Sequence, residues 1–304
     1  MNKEDKFKYF RWSFGDRYDG WRVKKVDAVF QVIPYFLRTR MDAQNYFEER
    51  IAIDHIEAFI REHKEDIPGL SIMHVVIAAM VRLVSQRPNL NRFVMWNKIF
   101  ARNYLNFSIV VKRSISDDGE ETLIKPYFQP TDTLQDVARK ILEQQEKNQK
   151  VGQQNNSDKL SKLFGYVPDF LMRIIVFTFL WLDKVGLLPR VIEQASPWHS
   201  SIFLTNIGSI GVESIYHHLY EFGNCSIFLA MGKKSQRHSV NRAGELTTYK
   251  SILLKFVLDE RICDGYYYAS SMRMLNKILK DPEQLLTPPE KVFIDEGVGR
   301  KRWM

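Results

Sequence analysis

Residues 258–265, with the sequence LDERICDG, combine the side chains best suited to acid–base chemistry. Three carboxylates, Asp259, Glu260 and Asp264, follow an apolar run, and Arg261 lies among them. Alternation along an extended chain puts Asp259 and Arg261 on one face and Glu260 on the other. Either Asp259 and Arg261 form an ion pair that holds a strand end while Glu260 is solvated, or the carboxylates take part in proton transfer.

Residues 201–212, with the sequence SIFLTNIGSIGV, form a second candidate site. A short apolar run meets two small polar side chains, Thr205 and Asn206, and then two glycines, Gly208 and Gly211. Glycines allow a close approach of the backbone, and the hydroxyl and amide groups donate hydrogen bonds. The pattern favours a turn that contacts an oxyanion or a phosphate. The alternative is a plain transition from strand to turn, which glycines also mark.

Histidine and cysteine supply the remaining candidates. His217 and His218 follow Thr205 by a dozen residues. Adjacent side chains of an extended chain point to opposite sides, so at most one of the two enters a pocket. His217 and His218 are therefore secondary catalytic candidates, and the alternative for each is a hydrogen-bonded structural histidine. Cys225 and Cys263 are too few for a disulfide framework or a structural zinc site, and we expect no metal.

The elements that must position these residues indicate a mixed α/β fold with a large sheet. Apolar residues at helical spacing predict helices at 51–63, 72–85, 134–147 and 270–279. Alternating or continuous apolar runs predict strands at 92–99, 104–113, 121–128, 201–205, 226–231 and 249–258. Pro34 within residues 26–38 argues for an edge strand or a break there.

The longest apolar run, residues 174–182, is bounded by Arg173 on one side and by Asp183 and Lys184 on the other. Its length is well short of the roughly 20 residues that span a bilayer. A buried or half-buried helix is one interpretation. Peripheral membrane contact through residues 168–185, or an acyl-chain pocket, is the other, because one short helix carries so many large apolar side chains.

Charge and composition limit the partners and the compartment. The 304 residues contain 44 Lys and Arg against 36 Asp and Glu, which gives a net charge of +8. This charge suits an acidic partner such as a phosphorylated small molecule. The basic residues are scattered and no nucleic-acid motif accompanies them, so we expect no nucleic-acid partner. The start of the chain lacks a signal-peptide core, which indicates a cytoplasmic protein.

The TNxGxxG segment at residues 205–211, followed about 55 residues later by DxRxxDG at residues 259–265, resembles the acyltransferase core of 2-oxoacid dehydrogenase complexes. It is also similar to chloramphenicol acetyltransferase. Residues 70–93, with PxLN near their end, agree with the resemblance, which runs from about Trp21 to Pro282. The resemblance implies a two-layer α/β sandwich of the chloramphenicol acetyltransferase type, with extra helices.

The family signature is DHRxxDG, and its histidine is the general base that takes a proton from the attacking thiol or hydroxyl. Glu260 occupies that position here, whereas Asp259, Arg261, Asp264 and Gly265 match. The resemblance implies that Thr205 is the hydroxyl donor for the tetrahedral oxyanion. It also implies a structural pairing of Asp264 with an arginine early in the chain, for which Arg22 is the candidate.

The resemblance further implies a homotrimer whose active sites lie between neighbouring subunits, with acyl-CoA as a substrate. Nothing in the chain resembles a lipoyl domain, so we expect a stand-alone relative without a covalently attached lipoyl group. The expected organisation is an arm (1–25), an acyltransferase-like domain (26–282) with a helical insertion at about 158–195, and a loose tail (283–304). The function expected is acyl transfer from acyl-CoA to a small acceptor. The alternatives are a catalytically inactive scaffold or a peripheral membrane protein that handles lipid acyl chains.

Overall fold

A computed structural model describes residues 3–112, 121–149, 165–240 and 243–300. Within these residues the chain forms two sheets. The smaller is antiparallel and orders its strands β1 (Gly20–Arg22), β4 (Lys98–Arg102) and β3 (Arg92–Met95). The larger contains β2 (Gln44–Ala52), β5 (Leu105–Lys112), β6 (Glu121–Ile124), β7 (Tyr127–Phe128), β8 (Ile202–Asn206), β9 (Ile227–Met231), β10 (Ser235–Val240) and β11 (Leu246–Asp259).

The large sheet is mixed, as expected. Strand β8 runs parallel to both β5 and β9, whereas β11 runs antiparallel to β2, β9 and β10. Because β11 is the longest strand and pairs with three others, it fixes their register. Its last residue, Asp259, pairs with Gln44 at the start of β2. The candidate motif at residues 259–265 therefore begins where the sheet ends.

Seven α-helices accompany these strands in the described part of the chain. They are α1 (Ala28–Phe36), α2 (Asp54–His63), α3 (Ile72–Gln86), α4 (Leu134–Gln149), α5 (Asp169–Val185), α6 (Arg190–Ala195) and α7 (Gly265–Lys280). Helix α3 is almost wholly buried, since its residues are apolar on every side. It packs in the main core with inward residues of α2, α4 and α7.

Alternate strand residues divide between two apolar cores. Leu204 and Leu229 face the main core with the helices, whereas their neighbours Phe203 and Phe228 face a second, smaller core. Leu219, from the irregular segment between β8 and β9, belongs to this second core. The segment therefore crosses the sheet face opposite the helices, and we call this face the outer sheet face.

Two local expectations were wrong. Of the two alternatives for residues 26–38, the edge strand is wrong, because residues 28–36 form helix α1, which ends two residues after Pro34. The Asp27 side chain accepts a hydrogen bond from the Val29 N–H at 3.1 Å. Pro34 is tolerated because it lies in the last turn, where it removes a single hydrogen bond close to the helix end. The helix expected from residue 51 begins only at Asp54, since the residues before it pair with β11 in the sheet.

The C-terminal segment, expected to be loose, packs against the body. Val298 is fully buried, and Asp295 forms a buried ion pair with Arg92, with Nη2 and Oδ1 2.7 Å apart. Of the helical insertion expected at about 158–195, residues 158–164 lie outside the described residues. Within the described residues, the structure contains no helix that is both long enough and apolar enough to cross a membrane.

Helix α5 is attached to the body through a polar contact at its C-terminal end. Asp183 is the only buried residue of this apolar helix. Its Oδ2 lies 3.2 Å from His199 Nε2 and accepts the Gly223 N–H at 3.1 Å, and its Oδ1 lies 3.4 Å from Arg17 Nη2. Burial would raise the pKa of Asp183, but contacts with His199, Arg17 and Gly223 outweigh it and lower the pKa.

Replacing Asp183 should destabilise the protein in a pH-dependent way. Asp183→Asn removes the buried negative charge beside Arg17 and His199, and we expect the free energy of unfolding at pH 7 to fall by about 3 kcal/mol. Since the folded-state pKa is lowered, this stabilisation is present above the unfolded-state pKa and is lost as the pH falls through the folded-state value. Urea unfolding between pH 7 and pH 3 measures both effects.

The matched control is Asp169→Asn in the exposed first turn of the same helix, which should change the free energy of unfolding by at most about 1 kcal/mol. Equal stability of Asp183→Asn and the unmodified chain at pH 7 would contradict this account of the attachment.

Candidate functional site

The turn after β11 is held by a buried ion pair between Asp259 and Arg261. Arg261 Nε lies 2.8 Å from Asp259 Oδ1, and Nη2 lies 2.7 Å from Oδ2. Arg261 Nη1 also donates to the carbonyl oxygens of Leu37 and Arg38, at 3.1 and 3.3 Å. The Tyr268 hydroxyl donates to the Asp259 carbonyl at 2.7 Å. The pair therefore joins the end of β11 to the segment after α1 and to α7, as the ion-pair interpretation of these two residues requires.

The electrostatics of this turn favour the charged form of Arg261. Burial lowers the pKa of Arg261, but the hydrogen bonds and the charge of Asp259 outweigh it and raise the pKa above its ordinary value. Cys263, in the same turn, is buried, and burial raises the pKa of its thiol to about 12. A thiol with so high a pKa is not a nucleophile near neutral pH.

Glu260 lies between Asp259 and Arg261, and its own side chain takes no part in their ion pair. Its backbone N–H donates to the Ala43 carbonyl at 2.8 Å, which fixes the backbone, and the residue is half-buried. Among the described residues, no hydrogen bond or ion pair to the Glu260 carboxylate is present. The backbone of Glu260 is thus fixed, while its carboxylate is available to a ligand or to another chain.

Asp264 does not form the ion pair expected with Arg22. Asp264 is exposed and is the N-cap of α7, where its Oδ1 accepts the Tyr267 N–H at 2.6 Å. Arg22 lies on β1 in the smaller sheet, and the described part of the chain contains no ion pair between the two. The physical reason is that the helix N-terminus supplies unpaired N–H groups, which satisfy this carboxylate locally.

Thr205 and Asn206 end strand β8 and are half-buried. Thr205 lies on the same side of its strand as Phe203, so its side chain is on the outer sheet face. The turn that follows needs its glycine, because a Cβ at Gly208 would lie 2.3 Å from the Gly232 carbonyl oxygen. The structure thus places a free hydroxyl and a closely packed turn at the end of β8.

Thr205 and Glu260 are far apart within one chain. Thr205 pairs with Ala230 on β9, and Ala230 pairs with Lys255 on β11. Glu260 comes five residues after Lys255, which corresponds to about 17 Å along the strand, and two strand spacings add about 10 Å across the sheet. The two groups are therefore about 20 Å apart. The fold does not bring these two predicted site residues together in a single chain.

His217 and His218 contact different aromatic rings. The His217 ring stacks on Phe228 on the outer sheet face, with centroids 4.5 Å apart. Burial, together with the charge of His218, lowers the pKa of His217, and its Nε2 is buried without a hydrogen-bond partner. His218 packs against Tyr220 instead. Of the two, His217 shares its sheet face with Thr205.

A groove of about 490 Å³ opens at the end of β8. It is lined by Asn206, by Gly232 and the two residues after it, and by the first residues of α3, with Arg61 at its edge. Lys234 and Lys250 both pair with Glu57, at 2.6 and 2.9 Å, whereas Arg61 and Lys233 have no ion pair among the described residues. The groove therefore offers two uncompensated positive charges.

Sequence reasoning missed this groove, since its lining comes from segments distant in the chain. The available signal was the GKK sequence at residues 232–234 directly after an apolar strand. One further group has the spacing of metal ligands, namely Glu62, His63 and Glu283, whose ligand atoms lie within 4.8 Å of one another in the described part of the chain. The two carboxylates are exposed, and surface acidic groups often have this spacing.

Comparison with known proteins confirms the resemblance over the segment that contains both motifs. Residues 194–287 match the family model described as the 2-oxoacid dehydrogenases acyltransferase catalytic domain. A search of curated proteins finds none that matches the chain.

Solved structures share the fold. The cubic core of the pyruvate dehydrogenase multienzyme complex is 14% identical, with a TM-score of 0.56, and the match covers 87% of this chain and 94% of that chain. A probable dihydrolipoamide acetyltransferase from Listeria monocytogenes is 13% identical, with a TM-score of 0.54 and coverage of 89% and 97%. Dihydrolipoamide acetyltransferase from Azotobacter vinelandii is 14% identical, with a TM-score of 0.53 and coverage of 87% and 94%. The fold class expected from the sequence is confirmed.

The capping role of Asp264 leads to a prediction that differs from that of an ion pair. Asp264→Ala should lower the free energy of unfolding by about 1 kcal/mol, because it removes the N-cap of α7. Asp264→Asn should cost much less, since asparagine is an equally good N-cap. Urea unfolding at pH 7 measures both, with Glu260→Gln in the same turn as the control that should leave stability unchanged. A larger loss for Asp264→Asn than for Asp264→Ala would contradict capping.

Proposed function

We propose that the protein transfers an acyl group from acyl-CoA to a small acceptor at sites shared between neighbouring copies, with Thr205 and Glu260 as the reacting pair. The observation that carries the proposal is the turn after β11, in which the buried Asp259–Arg261 pair presents a carboxylate without a partner. The match of residues 194–287 to an acyltransferase family supports the reaction class. Residues 26–282 are the proposed catalytic domain.

The separation of Thr205 from Glu260 supports a site built from two copies. A span of about 20 Å excludes their joint action within one chain, since catalytic groups act at hydrogen-bond distance. The assembly we propose is the homotrimer that the family resemblance implies, in which one contact repeats cyclically from copy to copy. Glu260 of one copy then meets Thr205 of the next.

The Azotobacter acetyltransferase supports this choice of residues. A serine, a histidine and an asparagine four positions after that histidine have been investigated for their role in its catalytic mechanism. Thr205 offers the same hydroxyl function as that serine, and Asp264 follows Glu260 at the same four-residue spacing. The histidine has no counterpart, because Glu260 takes its place in the proposal.

The proposed reaction has two steps, addition of the acceptor to the thioester and loss of the CoA thiolate. The acceptor attacks the thioester carbonyl carbon while the Glu260 carboxylate takes the acceptor's proton, and the Thr205 hydroxyl donates a hydrogen bond to the oxyanion that forms. The carbon–sulfur bond then breaks, and the proton passes from Glu260 to the CoA thiolate. A carboxylate is ordinarily a weaker base than imidazole. The arrangement therefore favours an acceptor that ionises readily, such as a thiol.

The groove at the end of β8 is the proposed position of acyl-CoA. Its two uncompensated cations, Arg61 and Lys233, suit the CoA phosphates. Its position beside Asn206 would bring the thioester to the strand end that carries Thr205.

A catalytically inactive binding protein of the same fold is the second candidate. The observation that favours it is Glu260 itself, since the resemblance places a histidine there. His217, with an unpartnered Nε2 on the same sheet face as Thr205, is the alternative base if Glu260 is inert.

The partners proposed with acyl transfer are acyl-CoA and further copies of the chain. Contact with a membrane surface through residues 168–185 is a separate proposal that rests on other observations.

Substitution of either reacting group should by itself strongly reduce activity. With radiolabelled acetyl-CoA and a panel of small thiols and amines, Glu260→Gln should reduce the rate by about 10²–10⁴-fold. Thr205→Ala should reduce it by about 10²–10³-fold. Both variants should retain the unfolding free energy of the unmodified chain, because neither side chain makes a hydrogen bond in the described structure.

Mixing the two inactive variants tests whether the site is shared. If the variants are unfolded together and refolded as mixed assemblies, about a quarter of the sites pair an intact Glu260 with an intact Thr205, and about a quarter of the activity should return. Glu260→Gln unfolded and refolded alone is the control and should show no recovery. Absence of recovery in the mixture would contradict a shared site. Unchanged activity of Glu260→Gln, together with loss of activity in His217→Gln, would replace Glu260 by His217 as the base. Absence of any acetyl-CoA binding by calorimetry would favour the binding-protein alternative.

A further inference from the structure

Helix α5 exposes a continuous stripe of large apolar side chains. The stripe consists of Phe170, Ile174, Phe177 and Trp181, whose exposed fractions are 70%, 58%, 71% and 51%. Their spacing of three or four residues puts all four on one side of the helix, over about 17 Å. We call this set the outer stripe. So large a set of exposed apolar side chains on one helix marks an interaction surface.

The contacts of Asp183 fix the rotation of α5 about its axis, so the outer stripe faces away from the body. Asp183 points into the body, where it contacts His199, Arg17 and Gly223. On a helix with 3.6 residues per turn, Asp183 lies about 160° from Trp181, on the opposite side. Turning the stripe inward would pull a buried carboxylate away from its partners and leave the charges of Arg17 and His199 without it.

Cations border the outer stripe. Arg173 and Lys184 are eleven residues apart, close to three full turns, so both lie along the same edge of the stripe. Both are exposed, as is Arg190 at the start of α6, and within the described residues none of the three forms an ion pair. The only exposed acidic residue of α5 is Asp169, since Asp183 is buried.

We propose that α5 docks the protein on an anionic lipid surface, lying in the plane of the membrane with the outer stripe among the acyl chains and its bordering cations at the headgroups. An apolar, aromatic stripe edged by Arg and Lys is the pattern of an interfacial helix. The aliphatic stems of Arg173 and Lys184 reach along the stripe while their charges stay at the phosphates. Insertion across the bilayer is excluded for the described helices, since none is long and apolar enough.

Charge decides between a lipid surface and a second copy as the occupant. The edge of the stripe carries uncompensated positive charge, and the whole chain has a net charge of +8. Anionic headgroups neutralise these cations, whereas a second copy of the chain adds more of them. The inference is independent of acyl transfer and stands or falls without it.

The test is co-sedimentation of the full chain with two kinds of vesicle, one of phosphatidylcholine alone and one that contains about 30% phosphatidylglycerol. Binding to the anionic vesicles is measured at low and at high salt. We expect binding to the anionic vesicles that weakens with salt. Phe177→Ser with Trp181→Ser should reduce the partition coefficient about tenfold or more, because the variant lacks two rings that the membrane would bury. The matched control is Trp12→Ser with Phe14→Ser, which removes one Trp and one Phe elsewhere that are more exposed than Trp181 and Phe177.

A charge variant keeps the inference falsifiable if the ring variant fails to fold. Arg173→Gln with Lys184→Gln should reduce binding to anionic vesicles about tenfold and leave binding to neutral vesicles unchanged. Lys64→Gln with Lys98→Gln, at two exposed lysines elsewhere, is its control. Failure of the unmodified chain to bind anionic vesicles, or equal binding by the ring variant and its control, would overturn the inference. So would dissociation of an oligomer by the ring variant in light scattering, which would assign α5 to a contact between copies.

Discussion

The buried ion pair between Asp259 and Arg261 joins three parts of the chain that are distant in sequence. Moving two charges out of water costs several kcal/mol each, and the cost is recovered only when every polar atom finds a partner. Here two parallel hydrogen bonds link the side chains, and the guanidinium also binds the Leu37 carbonyl. Tyr268 anchors the backbone of the same turn. Because these contacts leave no freedom to the turn, the position of Glu260 follows from them.

Much of the fold was predictable because strands β5, β8 and β9 and helix α3 are largely apolar runs, whereas β2 and β10, which are rich in polar residues, were not predicted. Local pattern fails where the chain is short and context decides. Residues 28–36 contain a proline and β-branched residues, which argue against a helix, yet they form one because Asp27 caps it and Pro34 falls in its last turn. The packing of Val298 was equally unreadable, since it depends on the partner of Asp295 more than 200 residues away.

The candidate site divides along the same line. The pairing of Asp259 with Arg261 was accessible from the sequence, because the two residues of opposite charge are only two positions apart. The partner of Asp264 was not, since a carboxylate at a helix start can cap locally or reach a distant arginine, and only the structure shows capping. Arg61 and Lys233 come together only when α2 and the end of β9 meet.

The distance between Thr205 and Glu260 along the sheet has a consequence for how the protein works in dilute solution. A reaction that needs both groups cannot occur in an isolated copy, because the span of about 20 Å is set by backbone pairing and not by side-chain rotation. Specific activity would then depend on abundance. Below the dissociation constant of the assembly, dilution would lower the number of complete active sites per chain. A newly synthesised chain would be inactive until it assembled with other copies.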